Sequence, residues 1–188
     1  MFKLNKNIKI LEFSLALILV LAGVILRLLP HEPNFTPILT IALFGGVYFS
    51  RRVGLVLPLV AMVISDIFIG YYDATLMAFV YASFLLCVIL GFWLKKHKKW
   101  YAILGSSVLG AVLFFAITNF AVWAFTSWYP KTMPGLVECY VMGLPFFKNT
   151  LLSSLFYSIV FFGAYEAVRA FVRKKISRTE MASVIVDR

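Results

Sequence analysis

What most limits the fold of this chain is a succession of long apolar runs, each bounded by charges or turn residues. Phe13–Leu26, Pro33–Ser50, Val53–Ser65, Ala74–Leu94, Trp100–Pro130 and Asn149–Tyr165 contain no Lys, Arg, Asp or Glu. A helix needs roughly 20 mostly apolar residues to cross a bilayer, so these runs predict about six transmembrane helices. Composition agrees: of 188 residues 62% are hydrophobic and 14% charged, against the roughly 25% charged fraction of a soluble domain. The expected fold class is therefore all-α, a polytopic membrane helical bundle. Residues 1–10 are expected to form a cytoplasmic N-terminal segment, 11–175 the transmembrane domain and 176–188 a cytoplasmic tail.

The net charge of +10 would suit a nucleic-acid ligand if it formed one patch, but it does not. Lys3, Lys6 and Lys9 precede the first run, and Arg51 and Arg52 follow the second. Lys95, Lys96, Lys98 and Lys99 follow the fourth, and Arg169, Arg173, Lys174, Lys175, Arg178 and Arg188 follow the sixth. These are fifteen of the 18 basic residues, leaving Arg27, Lys131 and Lys148 for the other side. Positive loops stay in the cytoplasm, so both termini are expected inside, with anionic lipid headgroups as partners and no role for nucleic acid. Trp93 and Trp100 flank the inner basic turn, while Trp123, Trp128 and Tyr129 mark the outer interface.

The first run resembles a signal peptide after its three lysines, but Leu26-Arg27-Leu28-Leu29-Pro30 offers no small-x-small cleavage site, so an uncleaved first helix near Leu11–Leu29 is expected. Thr36-Pro37 reads as a capping hydroxyl followed by a first-turn proline, opening a second helix that ends by Ser50. At about 14 residues, or roughly 21 Å, that helix either thins the bilayer or begins in a protein-lined recess. Helices are further expected over Val53–Gly70, kinked at Pro58, then Ala74–Leu94, Ala102–Thr126 and Phe146–Phe171. In the last outer loop, Thr132, Pro134 and Gly143 read as the cap, first turn and stop of a short helix lying on the membrane surface.

The strongly polar intramembrane residues fall at one depth. Asp66 lies about 14 residues, or roughly 21 Å, beyond Arg52, and Asn119 about 18 residues, or roughly 27 Å, beyond Tyr101. Asn34 and Thr36 open the second helix on that same outer side, as Lys148, Asn149 and Thr150 open the sixth. An ionised Asp66 facing lipid would cost at least ~2.5–3.5 kcal/mol, so it should face protein or water. Asn149, Ser153 and Tyr157 share a helix face, and Asn119 and Trp123 are neighbours four apart. Asn34, Thr36, Asp66, Asn119, Trp123, Tyr140, Lys148 and Asn149 are therefore expected to line one outward-open pocket for a polar small molecule. The alternative is structural: Asp66 paired with Arg27 or Lys148, and the amides and hydroxyls serving as interhelical hydrogen bonds. Ala42, Gly46 and Ser50 suit a close helix-packing face.

No catalysis, cofactor or metal is expected. His31 and His97 belong to opposite sides, Cys87 and Cys139 make no ligand spacing or disulfide pair, and no metalloprotease, nucleophile-elbow or phosphate-loop motif occurs.

Several segments carry a family resemblance: Asn34-Phe35-Thr36-Pro37-Ile38, Ala42-Leu43-Phe44-Gly45-Gly46, Leu57-Pro58-Leu59 and Ser65-Asp66-Ile67-Phe68-Ile69-Gly70. Thr118-Asn119-Phe120, Tyr129-Pro130-Lys131-Thr132 and Gly143-Leu144-Pro145-Phe146-Phe147-Lys148-Asn149-Thr150 extend it, so that it covers about Arg27–Gly163. They resemble an uncharacterised group of bacterial six-helix membrane proteins related to substrate-binding S components of energy-coupling factor vitamin transporters. The resemblance implies a cell inner-membrane protein with an outward-facing ligand pocket, pairing with a transmembrane coupling subunit and its ATPases. The first helix departs from that pattern: Ala16 is followed four residues later by Val20, where S components present an Ala-xxx-Ala face to the coupling subunit. The function expected is thus that of a small-molecule-binding transporter subunit, against a structural or assembly protein with no ligand.

Overall fold

A computed structural model describes the backbone of residues 2–186 and the side chains of residues 13–171. The described residues form six helices and no strand: α1 (Phe2–Leu28), α2 (Ile38–Tyr48), α3 (Arg51–Ile69), α4 (Ala74–Leu94), α5 (Trp100–Phe125) and α6 (Met133–Val186). Four of them, α3 to α6, are long and apolar enough to cross a membrane, and α1 and α2 contribute shorter apolar stretches. The all-α membrane bundle read from the sequence is the observed architecture.

The 11 residues of α2 reach only about 16 Å, about half the hydrocarbon thickness. This helix has no polar face, and Ile38–Val47 are all buried. It is the core of the bundle, touching every other helix, whereas α1 packs chiefly on α3. Two glycine pairs let α2 sit this deep. A Cβ on Gly46 would run into the Val88 carbonyl and come within 2.8 Å of Gly91 Cα on α4; one on Gly54 of α3 would come within 2.8 Å of the Gly45 carbonyl oxygen. Beside the glycines, Phe44, Tyr48, Phe162 and Tyr165 pack in tilted and edge-to-face pairs between α2 and α6 with ring centroids 4.1–5.7 Å apart.

Where hydroxyls enter this core they are paired. Thr40 donates to the Ser154 carbonyl at 3.2 Å and lies 3.3 Å from Ser158 Oγ, which is 2.8 Å from Ser107 Oγ. This buried network ties α2, α5 and α6 together in the core, where an unpaired hydroxyl would be costly.

Two differences from the sequence reading matter for the site. Residues 133–144 are not a separate helix on the membrane surface; they are the first turns of α6, which continues through Gly143 and Pro145. Tyr140 donates to the Ala116 carbonyl at 2.6 Å and Cys139 lies 3.3 Å from the Asn119 carbonyl, so this stretch runs antiparallel along α5. A glycine stops a helix only when its backbone leaves the helical region, and the α5 flank instead supplies packing that carries the helix on. At the opening of α2, the N-cap is Pro37 rather than Thr36, and no side chain caps it. The helical stretch reaches Phe2 at one end and Val186 at the other, beyond the boundaries of 11 and 175 expected for the membrane domain.

The two ends of the bundle differ. One, the basic end, carries Arg51, Arg52, the Lys95–Lys99 turn and Arg169, with Lys95 Nζ 3.4 Å from the Phe49 carbonyl. The other is formed by the α1–α2, α3–α4 and α5–α6 connections and holds the site.

Candidate functional site

The shortness of α2 creates the site. Beyond its buried N-terminus at Pro37, no central helix fills the bundle, and the surrounding helices leave a cavity of about 710 Å³. It opens where Leu29, His31 and Trp128 are exposed. Its walls are continuous helix faces, Leu76, Val80 and Phe84 on α4 and Phe114, Thr118 and Val122 on α5. Residues four apart stack along one side of a helix, so each triplet presents a mainly apolar strip. The deep lining, buried in each case, is Leu39, Met62, Thr150 and Ser153. Arg27, His31, Asn34, Thr36 and Tyr72 supply further polar groups.

A buried ion pair fixes one wall. Arg27 Nη1 lies 2.6 Å from Asp66 Oδ1 and donates to Ser65 Oγ at 2.5 Å, with the Met62 carbonyl 3.4 Å away. The other carboxylate oxygen of Asp66 accepts from Tyr81 at 2.6 Å. Oδ1 accepts no hydrogen bond of regular angle and is balanced by the guanidinium charge. Asp66 is fully buried and does not line the cavity; Arg27 does. In the α3–α4 connection, burial and then the Asp66 charge push the Tyr72 hydroxyl up to about 12, so it stays a neutral donor at physiological pH.

The α1–α2 connection is held by the stripe on α6. Asn149 Nδ2 donates to the Pro33 carbonyl at 3.0 Å, Ser153 Oγ to the Asn34 carbonyl at 3.4 Å, and the Phe35 ring lies 5.9 Å from that of Tyr157. Asn34 itself adopts φ 64°, the left-handed region that asparagine tolerates better than most residues.

Of the eight residues expected to form a pocket, two, Asn34 and Thr36, line the cavity. Asp66 stands directly behind Arg27, and Asn149 buttresses the loop that carries Asn34. The other four do not converge on it. Asn119 donates to the Phe115 carbonyl of its own helix at 2.9 Å, its amide oxygen filling the space that a Gly143 side chain would take. Trp123 donates to the Pro130 carbonyl at 3.0 Å, and Lys131 reaches the Trp123 and Thr126 carbonyls. With Tyr140 these residues knit α5 to the start of α6, and Lys148 is exposed. The physical reason is rotational: one residue along a helix turns the side chain by about 100°. On α5 the cavity takes Thr118, and the neighbouring Asn119 turns to the α6 flank.

Sequence reasoning missed Arg27, His31, Tyr72, Thr118 and Trp128 as lining residues. Arg27 carried a signal, being a lone arginine at the end of an apolar run opposite the basic clusters. Among the described residues, no three His, Cys, Asp or Glu side chains gather as a metal site, and Cys87 and Cys139 are both free and buried. A concave, largely apolar space with a few fixed polar groups is the form that small-molecule sites take, and its volume lies in their usual range of about 300–1,000 Å³. No curated protein and no solved structure matches the chain. A family model does match it over residues 7–177, and the chain belongs to that family, DUF6580, described as a family of unknown function.

Proposed function

We propose that this protein is the membrane-embedded binding subunit of a small-molecule transporter, resembling an S component of an energy-coupling factor system. The observation that carries this reading is the cavity that α2 leaves by stopping halfway through the bundle. A helix that ends inside the membrane exposes its polar backbone terminus, which is tolerated only against protein or a polar space. By the positive-inside rule the basic end lies in the cytoplasm, so the cavity faces outward and both termini lie inside the cell membrane. On this reading the partners are the lipid bilayer, the captured molecule and a transmembrane coupling subunit with its ATPases.

The structural alternative has specific support for four residues. Asn119, Trp123, Tyr140 and Asn149 each bond to a backbone carbonyl and hold helices or loops in place. That reading explains those contacts and leaves the cavity without a purpose.

Native mass spectrometry of protein extracted gently from its own membranes tests the proposal. A retained small molecule is expected, lost when Leu76→Trp or Val80→Trp fills the α4 wall. If no small mass accompanies the wild-type chain, and no candidate vitamin raises its thermal stability, the binding reading is wrong.

A further inference from the structure

We infer that the cavity selects a molecule with an anionic head, such as a carboxylate, on a mainly apolar body, and that Arg27 determines this choice. The inference rests on the binding reading above and adds a charge to its ligand. Among the lining residues Arg27 is the one permanently charged group, and no Asp, Glu or Lys lines the space. Its countercharge is placed behind it: Asp66 is fully buried, while the Arg27 side chain keeps 16% of its surface exposed. The pair is a dipole with its positive end toward the cavity.

The guanidinium is held at the single nitrogen Nη1, which reaches Asp66, Ser65 and Met62. An arginine presents five N–H donors in a planar fork, and a fork held at one nitrogen still offers donors suited to both oxygens of a carboxylate. The backbone adds the same sign. The N-terminus of α2 lies at buried Pro37 with no side-chain cap, and its neighbours Thr36 and Leu39 line the cavity. The positive end of a helix dipole therefore stands deep in the space. The opposing C-termini of α1 and α3 lie at exposed residues on the rim, Leu28 and Ile69. The body of the ligand meets Phe84, Phe114, Val80 and Val122, which demand an apolar partner.

The charge preference is measurable without knowing the ligand. With Cys87 and Cys139 replaced by Ala, Thr118→Cys puts one thiol in the cavity wall. Its rates of modification by the sulfonate-bearing and trimethylammonium-bearing ethyl methanethiosulfonates are compared after normalisation to a free thiol. Ser127→Cys, exposed at the same end, reports the general surface potential. The cavity thiol should favour the anionic reagent over this reference by about tenfold, the lower end of what a charged cleft produces. Arg27→Gln should abolish the excess. Asp66→Asn, which keeps an acceptor for Tyr81 but removes the countercharge, should increase it. Should Arg27→Gln fail to fold, the double variant Arg27→Gln/Asp66→Asn removes both charges together and should also abolish the excess. If Thr118→Cys reacts with both reagents at the reference ratio, or the excess survives loss of Arg27, the anion claim is overturned and the cavity stands. If neither reagent reaches it while Ser127→Cys reacts, the cavity itself, and the binding function with it, is overturned.

Discussion

The two ends of this bundle are built from the same six helices and solve opposite problems. At the basic end the helices are drawn together. Gly46 and Gly91 bring α2 and α4 into backbone contact, the tilted Tyr48 and Tyr165 rings pack with centroids 4.1 Å apart, and Tyr48 donates to Glu166 at 2.6 Å. Lys98 sits 4.7 Å above the Tyr48 ring, where burial and the nearby Arg169 charge lower its pKa. At the other end the central helix is missing, and the walls of the gap are fixed by an ion pair between α1 and α3 and by buttresses from α6 to the α1–α2 connection. The contrast shows that the cavity is not loose packing. A chain able to fill one end to backbone contact leaves the other open because α2 starts at residue 38.

The largest effect should come from breaking the ion pair. Arg27→Ala leaves Asp66 buried without its countercharge and should destabilise the protein by about 3–5 kcal/mol, whereas a paired Arg27→Met/Asp66→Leu change should recover most of the loss. Equilibrium unfolding in mixed micelles measures both. A single variant as stable as the double would mean that the pair does not hold the open end together.

Next in size, Gly46→Ala should cost about 1–3 kcal/mol by forcing α2 and α4 apart at the closed end. Gly105→Ala on α5, where an added methyl meets nothing within 4 Å, should be neutral or mildly stabilising, by up to about 1 kcal/mol. Equal effects of the two substitutions would mean that backbone contact between α2 and α4 does not hold the closed end together. Tyr48→Phe, which removes the hydrogen bond to half-exposed Glu166, should cost about 1 kcal/mol by the same measurement.

What the sequence disclosed follows from how local each signal is. Charge-free runs fixed by length alone gave α4 at its observed limits, Ala74–Leu94, and the ends of α3 and α5 within two residues. The clustering of Lys and Arg separated the two ends, and the shortness of the second helix left a thinned bilayer or a protein-lined recess, of which the buried start of α2 fits the recess. Asp66 was legible as a residue that must face protein or water, and Arg27 was one of the two partners that the structural alternative allowed it. The membership of the cavity was not legible. Its walls are mostly Leu, Val and Phe, identical in kind to lipid-facing residues, and nothing local distinguishes Val80 from exposed Ile89. Choosing pocket residues by polarity selected groups that the protein needs for bonding its own backbone, as with Asn149 and Pro33. The start of α6 was misplaced because Gly143 and Pro145 read as helix ends, while the packing that carries the helix through them comes from α5.

The smallest expected effect tests the boundary of the site. Asn119 and Thr118 are adjacent on α5, yet only Thr118 faces the cavity, and the Asn119 amide is occupied by Phe115 and the surface of Gly143. Asn119→Ala, which removes a bond within α5, should therefore cost about 0.5 kcal/mol, the low end for one hydrogen bond, and leave the charge preference of the Thr118→Cys thiol unchanged. Lys148→Ala, at an exposed position, should change neither stability nor preference. A loss of retained ligand or of charge preference in Asn119→Ala would extend the site around α5 onto the first turns of α6. The two ends would then differ by more than an open cavity, because the packed α5–α6 flank would itself be part of the recognition surface.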